Sequence, residues 1–261
     1  MAPFELTFLG TGTSTGIPMI GCHCEVCASP DPRDKRDRAS IFIRTPEQCW
    51  VVDTGPDFRH QCLRNGIEHL DAVLITHPHT DHIMGFDDLR RFTFDADGLM
   101  PVYATPDTLA MLRHIFEFAF NGLNRYPGYL KPEPHEVTGP FTLGETRVTP
   151  IPVRHGKVIT IGYRFDRPGM DGVAYLPDCK SIPAESMALL EDIGVLIIDA
   201  LRRHPHPTHL SVAESLVVAQ ETRARQVWFT HLSHELSHAL LEAELPPHIR
   251  IAHDGLTLKL G

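Results

Sequence analysis

The most constraining feature of this chain is a short run, Thr76-His77-Pro78-His79-Thr80-Asp81-His82, that follows directly on the apolar stretch Ala72-Val73-Leu74-Ile75. An apolar stretch of this length reads as a buried strand, so several nitrogen and oxygen donors are delivered just past a strand's C-terminal end. That is where α/β sheets usually place their sites. His77 and His79 are two apart and can converge on one cation from a turn, whereas Asp81 and His82 can open the next helix and face a second. A lone histidine here would ordinarily be a satisfied core group or a surface residue; donors at H-x-H-x-D-H spacing point instead to metal.

Around this run, short β-branched stretches alternate with helix-like ones, with no repeat, low-complexity tract or charge block. The simplest organisation is one α/β domain over 1–261. Strands are expected at Glu5 to Leu9, Ser40 to Arg44, Cys49 to Asp53, Ala72 to Thr76, Val102 to Ala104, Arg147 to Val153, Ile159 to Phe165, Val173 to Leu176, Val195 to Asp199, Gln226 to Thr230 and Arg250 to Ala252. Helices are expected at Asp57 to Asn65, Asp81 to Arg91, Pro106 to Phe120, Ala184 to Asp192, Val212 to Arg223 and Glu235 to Glu244. Pro106 suits a first helical turn and Ser211 an N-cap. The stretch Asn121 to His135, rich in Pro and Gly, reads as a loop.

The residues His77, His79, Asp81 and His82 resemble the signature of the metallo-β-lactamase superfamily, and the resemblance extends over most of the chain. It implies a four-layer αβ/βα sandwich. It also expects an Asp-x-Gly turn before the signature, which Asp53-Thr54-Gly55 resembles, making Asp53 an orienting residue behind the ligands. The remaining expected positions are a mid-chain histidine, matched by His155, a bridging aspartate at a strand end, matched by Asp178, and a final histidine, matched by His231. The implied sets are His77, His79 and His155 for one metal and Asp81, His82 and His231 for the other, with Asp178 between them. His253 competes for the last position, but His231 directly ends a strongly apolar strand. An aspartate bridge favours a two-metal hydrolase, in which ions about 3.5–4 Å apart lower the pKa of a bridging water and neutralise attacking and leaving oxygens. Cys179, next to Asp178, would point elsewhere on a strand and is expected in the core.

A second cluster narrows the family. Thr11-Gly12-Thr13-Ser14-Thr15-Gly16 is a Gly-rich turn of low specificity by itself, and Cys22-His23-Cys24-Glu25-Val26-Cys27 follows it. Closely spaced thiols suit a tetrahedral zinc site better than strained disulfides. The fourth ligand could be His23, a distant histidine or a water; His234, three residues after His231, is favoured. Together the Gly-rich turn, the Cys loop, the signature and the C-terminal His-x-x-His resemble the phosphoribosyl cyclic phosphodiesterases of the carbon–phosphorus lyase pathway. That branch implies two catalytic divalent metals, manganese or zinc, one structural zinc on Cys22, Cys24, Cys27 and His234, and a histidine acting beside the metals. This last maps to His209, before a helix, with the role of proton donor to a leaving alkoxide. His204 and His206, in the same loop, read as solvated, as do Arg202 and Arg203.

Charge then limits the substrate. A formal net charge of −9 opposes a broad grip on nucleic acid, so the expected partner is a small anionic phosphodiester, such as phosphoribosyl 1,2-cyclic phosphate or a 2′,3′-cyclic nucleotide. A homodimer is left open. The N-terminal MAPFELTFLG lacks a basic segment followed by an apolar core, and no stretch reaches the roughly 18 apolar residues of a bilayer span. The expectation is a cytoplasmic enzyme without membrane contact. Two rivals share the resemblance: a transfer-RNA 3′-processing nuclease, opposed by the acidic balance and the lack of a Gly/Lys-rich arm, and a non-hydrolytic accessory protein of pyrroloquinoline quinone synthesis, opposed by the full ligand set.

Overall fold

The computed structural model describes residues 4–94, 98–123, 126, 128–191 and 193–261. Two seven-stranded sheets face each other. The first holds β1 (Phe4–Gly10), β2 (Ser40–Arg44), β3 (Cys49–Val52), β4 (Ala72–Leu74), β5 (Met100–Ala104), β6 (Pro132–Glu136) and, from the chain's end, β14 (Thr257–Leu260), in the order β14-β1-β2-β3-β4-β5-β6. The second holds β7 (Phe141–Leu143), β8 (Thr146–His155), β9 (Val158–Asp166), β10 (Val173–Leu176), β11 (Val195–Asp199), β12 (Gln226–Thr230) and β13 (Ile249–Ile251), in the order β13-β12-β11-β10-β9-β8-β7.

Alternation along the strands builds the layers, because successive side chains leave opposite faces. Trp50 and Val52 of β3, with Val195 and Ile197 of β11, enter the core between the sheets. Val51 and Val73 instead face α2 (Phe58–Asn65) and α4 (Pro106–Ile115) on one outer side, through Phe58, Leu109 and Leu112. Leu196, Ile198 and Phe229 face α7 (Val212–Thr222) and α8 (His238–Glu244) on the other, through Val212, Ala219 and Leu241. Helix, sheet, sheet, helix is the expected four-layer αβ/βα sandwich. Strands apolar on both faces, such as β11, are those buried between two layers.

Several expected elements differ, each for a tertiary reason. The helix expected over Asp81 to Arg91 is a single turn, α3 (Thr80–Ile83), followed by a 3-10 stretch, Phe86–Thr93. It breaks because Gly85 is drawn against the Asp-x-Gly turn: its N–H donates to Thr54 O, and a Cβ on Gly85 would lie 2.2 Å from Gly55 O. The helix expected over Pro106 to Phe120 is interrupted at Phe116, whose ring packs on Phe86 at 5.0 Å, and resumes as α5 (Glu117–Phe120). The loop expected over Asn121 to His135 contains β6, whose prolines are tolerated because it is an edge strand. Asn124, Arg125 and Pro127 of that loop, and Asp192 at an expected helix end, lie outside the described residues. The Cys loop adds an unexpected short helix, α1 (Glu25–Ala28), and α6 (Ala184–Met187) passes into a 3-10 turn.

Candidate metal centre

β3, β4, β10, β11 and β12 all deliver polar residues from their C-terminal ends to one edge of the sandwich. Asp178 sits at the middle, 3% exposed. Its Oδ2 lies 3.8 Å from His77 Nε2 and 3.9 Å from His155 Nε2, and its Oδ1 lies 3.0 Å from His82 Nε2 and 3.4 Å from His231 Nε2. Each carboxylate oxygen thus faces a different group of rings. His77, His79, His155 and Asp178 form one cluster of donor atoms within 4.8 Å of one another, and Asp81, His82, Asp178 and His231 form the other. The fold brings together every residue expected in the two sets. His253 is elsewhere, beside His238, with Nδ1 turned to Asp254 O.

The surrounding hydrogen bonds decide which ring nitrogens face inward. Asp53 accepts from Thr76 N–H, from Thr76 Oγ1 and, at 2.7 Å, from His82 Nδ1, so His82 Nε2 points into the centre. His155 Nδ1 donates to Thr208 O at 2.8 Å, which leaves the lone pair on its Nε2 free. Both Asp53 (φ 67°) and His231 (φ 56°) have left-handed backbone. Such strain is held only where the surroundings over-determine it. Gly55 has a plain steric reason: a Cβ there would lie 2.2 Å from Asp81 O.

The electrostatics fit cations. Burial alone would lower His82, but Asp178, Asp53 and Asp81 outweigh it and hold the ring well above its ordinary range. Asp178 is shifted the other way: burial would raise it, and His231, His82 and His77 hold it well below. His77 is driven well down by burial and by His82, and His155 to about 4 by burial. Those two are neutral imidazoles with lone pairs to offer. His82 Nε2, Asp178 Oδ1 and both His231 nitrogens are buried without a hydrogen-bond partner. Buried lone pairs left without a partner in this way are what a cation would satisfy.

His209 lies against this cluster, its ring stacked on His231 at 4.7 Å and edge-on to His155 at 4.6 Å. Its Nδ1 is 2.7 Å from Oδ2 of Asp199, the last residue of β11. Burial pushes Asp199 well up and His209 down to about 3. Sequence reasoning missed Asp199; the available signal was an acidic residue closing the wholly apolar run Val195-Leu196-Ile197-Ile198. His206, expected in solvent, lies 5.2 Å from the His209 ring, with Nδ1 taken by Thr208. Arg203 pairs with Glu244, and Arg202 donates to carbonyls of its own loop, so neither is aimed at the centre.

The thiol cluster is separate. Cys22, Cys24, Cys27 and His234 bring their donor atoms within 4.8 Å of one another, with His234 Nδ1 3.3 Å from Cys22 Sγ and 3.4 Å from Cys24 Sγ. The Cys27 N–H, then His234, lowers Cys24 to about 6, whereas burial raises Cys27 to about 11. One thiolate is thus already favoured, as zinc binding requires. Cys179 is buried in the outer core, as expected.

A family model described as a beta-lactamase superfamily domain matches residues 50–232, which include most of these donors. The chain belongs to this superfamily. A solved structure described as a new diphosphatase from the PhnP family superposes with a TM-score of 0.91 at 40% identity, covering 99% of this chain and 98% of that one. The chain is therefore a metallo-β-lactamase-fold protein of PhnP-like type. An octanoyltransferase of Porphyromonas gingivalis is 39% identical over 95% of this chain. The chain spans only 50% of that relative. Coenzyme PQQ synthesis protein B of Xanthomonas axonopodis pv. citri is 26% identical over 75% of this chain and 72% of that protein. Among the described residues no helix is long and apolar enough to cross a membrane.

Proposed function

We propose that the protein is a dinuclear metal-dependent phosphodiesterase acting on a small cyclic phosphodiester, of the phosphoribosyl 1,2-cyclic phosphate or 2′,3′-cyclic nucleotide type. The observation that carries this reading is Asp178, whose two oxygens face two separate sets of donors. His77, His79 and His155 would hold one divalent ion, and Asp81, His82 and His231 the other. Ions held there would lower the pKa of a water and neutralise charge developing on attacking and leaving oxygens.

The chain's own residues supply the rest. Asp53 keeps His82 turned inward, and the Thr208 carbonyl does the same for His155. His209, held by Asp199 and stacked on His231, would give a proton to a departing ribose oxygen. The net charge of −9 supports a small substrate over an RNA, and the likeness to a PhnP-family diphosphatase supports phosphate ester chemistry.

Turnover is to be compared on phosphoribosyl 1,2-cyclic phosphate, a 2′,3′-cyclic nucleotide, a nucleoside diphosphate derivative and precursor transfer RNA, with manganese or zinc supplied. The cyclic esters should give the highest kcat/KM. Preference for precursor RNA or for the diphosphate would defeat the substrate assignment, and no turnover of any of them would defeat the reaction class.

A further inference from the structure

Away from the catalytic edge, at the opposite ends of the same strands, another set of mixed donors converges. Cys49 opens β3 and Asp71 immediately precedes β4; the pairing of Trp50 with Ala72 sets them side by side. Asp71 Oδ2 accepts the Cys49 N–H at 2.7 Å, which fixes the carboxylate and leaves Oδ1 turned to His69 Nε2 at 2.9 Å. The Cys49 thiol donates to the His69 carbonyl at 3.2 Å. Sγ, an imidazole nitrogen and a carboxylate oxygen lie within 4.8 Å of one another. They border an open hollow of about 380 Å³, to which Glu47, Gly66 and Glu68 also contribute. Four residue steps along β3 separate Cys49 from Asp53, about 13 Å at the rise of a strand.

We propose that Cys49, His69 and Asp71 form a further divalent metal site, suited to zinc, with its remaining position open to water in the hollow. A thiolate, an imidazole and a carboxylate are zinc's preferred donors, and the two anionic ones neutralise the dication. A strand-capping carboxylate paired with a surface histidine would need neither the thiol nor the hollow. Burial, then Asp71, pushes the Cys49 thiol up to about 11. The ion therefore has to displace a proton, and occupancy rises with pH. Once bound, it ties the start of β3 to the loop feeding the strand that ends in the H-x-H-x-D-H run.

The test uses the whole protein, given one equivalent of zinc for the Cys22, Cys24, Cys27 and His234 cluster and then excess cobalt(II). The sets around Asp178 contain no thiol, so they add no thiolate-to-cobalt absorption. Wild type should show such absorption in excess of Cys49→Ser by one thiolate–cobalt centre. His69→Ala, at a side chain 70% exposed and so harmless to folding, should weaken the cobalt affinity of that excess by at least about tenfold, since loss even of an outer partner costs 10–100-fold. Identical absorption in wild type and Cys49→Ser would overturn the proposal. Loss in Cys49→Ser with unchanged affinity in His69→Ala would also overturn it, because a lone thiol would then be the binder.

Discussion

His209 separates binding from chemistry most cleanly, because it touches the metal-facing rings without being a member of either donor set. If it protonates a leaving alkoxide, His209→Ala should lower kcat on a ribose cyclic phosphate by about 10²–10⁴-fold. On bis(p-nitrophenyl) phosphate, whose phenolate departs without a proton, the loss should be much smaller. Metal content should be unchanged. An equal loss on both esters, or metal released from the variant, would show that the ring serves structure instead. Asp199 is the carboxylate that orients the His209 ring, so Asp199→Asn should reproduce the pattern on the two esters. Asp53 acts at the same scale but differently: it touches no reacting atom and acts through the orientation of His82.

At the scale of elements, the Cys loop and the segment after β12 are one structural unit. β12 ends at Thr230, His231 enters the centre, and His234 reaches the thiols, while Thr13 N–H donates to Leu232 O and Leu232 N–H to Thr11 O. A zinc on the thiol cluster would clamp the first turn of the chain onto the segment bearing His231. Cys24→Ser should therefore lower Tm and zinc content together, with a smaller effect on metal binding by the donors around Asp178. A variant with full zinc and unchanged Tm would refute the clamp. The break at Gly85 belongs here too. An uninterrupted helix from Asp81 is what local periodicity favours, but close approach to Gly55 stops it after one turn.

At the scale of the whole molecule, the two ends of the chain meet. Asp254 accepts from Thr11 Oγ1 at 2.8 Å, from Asp37 N–H at 2.8 Å and from Arg64 at 3.3 Å, joining the first turn, the segment before β2, α2 and the last turn. Its side chain is 7% exposed, and burial pushes its carboxyl up to about 7. An acid whose folded pKa lies above its unfolded value of about 3.9 binds more protons in the native state between those values. Its contribution to stability is therefore fully present at the acid end of that window and falls as pH rises towards about 7. Denaturation of wild type and Asp254→Asn at about pH 5 and about pH 8 should show a smaller loss across that interval in the variant. The same loss in both would mean that Asp254 is ionised throughout.

Much of this protein is readable along the chain, where local patterns carry the information. The H-x-H-x-D-H run after an apolar strand announces cation donors because residue type and spacing are themselves the ligand geometry. The strands Ser40–Arg44, Val173–Leu176, Val195–Asp199 and Gln226–Thr230 match their expected bounds, since runs of β-branched and aromatic residues bounded by polar ones have few other solutions. What needed the third dimension was every relation between distant segments that no family signature encodes. The proline-rich β6 is a strand only because β5 offers it an edge. Asp199 and Asp178 are both acids at the ends of apolar strands; the resemblance already set Asp178 between the two donor sets, whereas only the folded chain assigns Asp199 to His209. That division is physical: propensity and spacing act within a few residues, whereas the orientation of a ring is decided by whichever carboxylate or carbonyl the packing of two sheets brings to its other nitrogen.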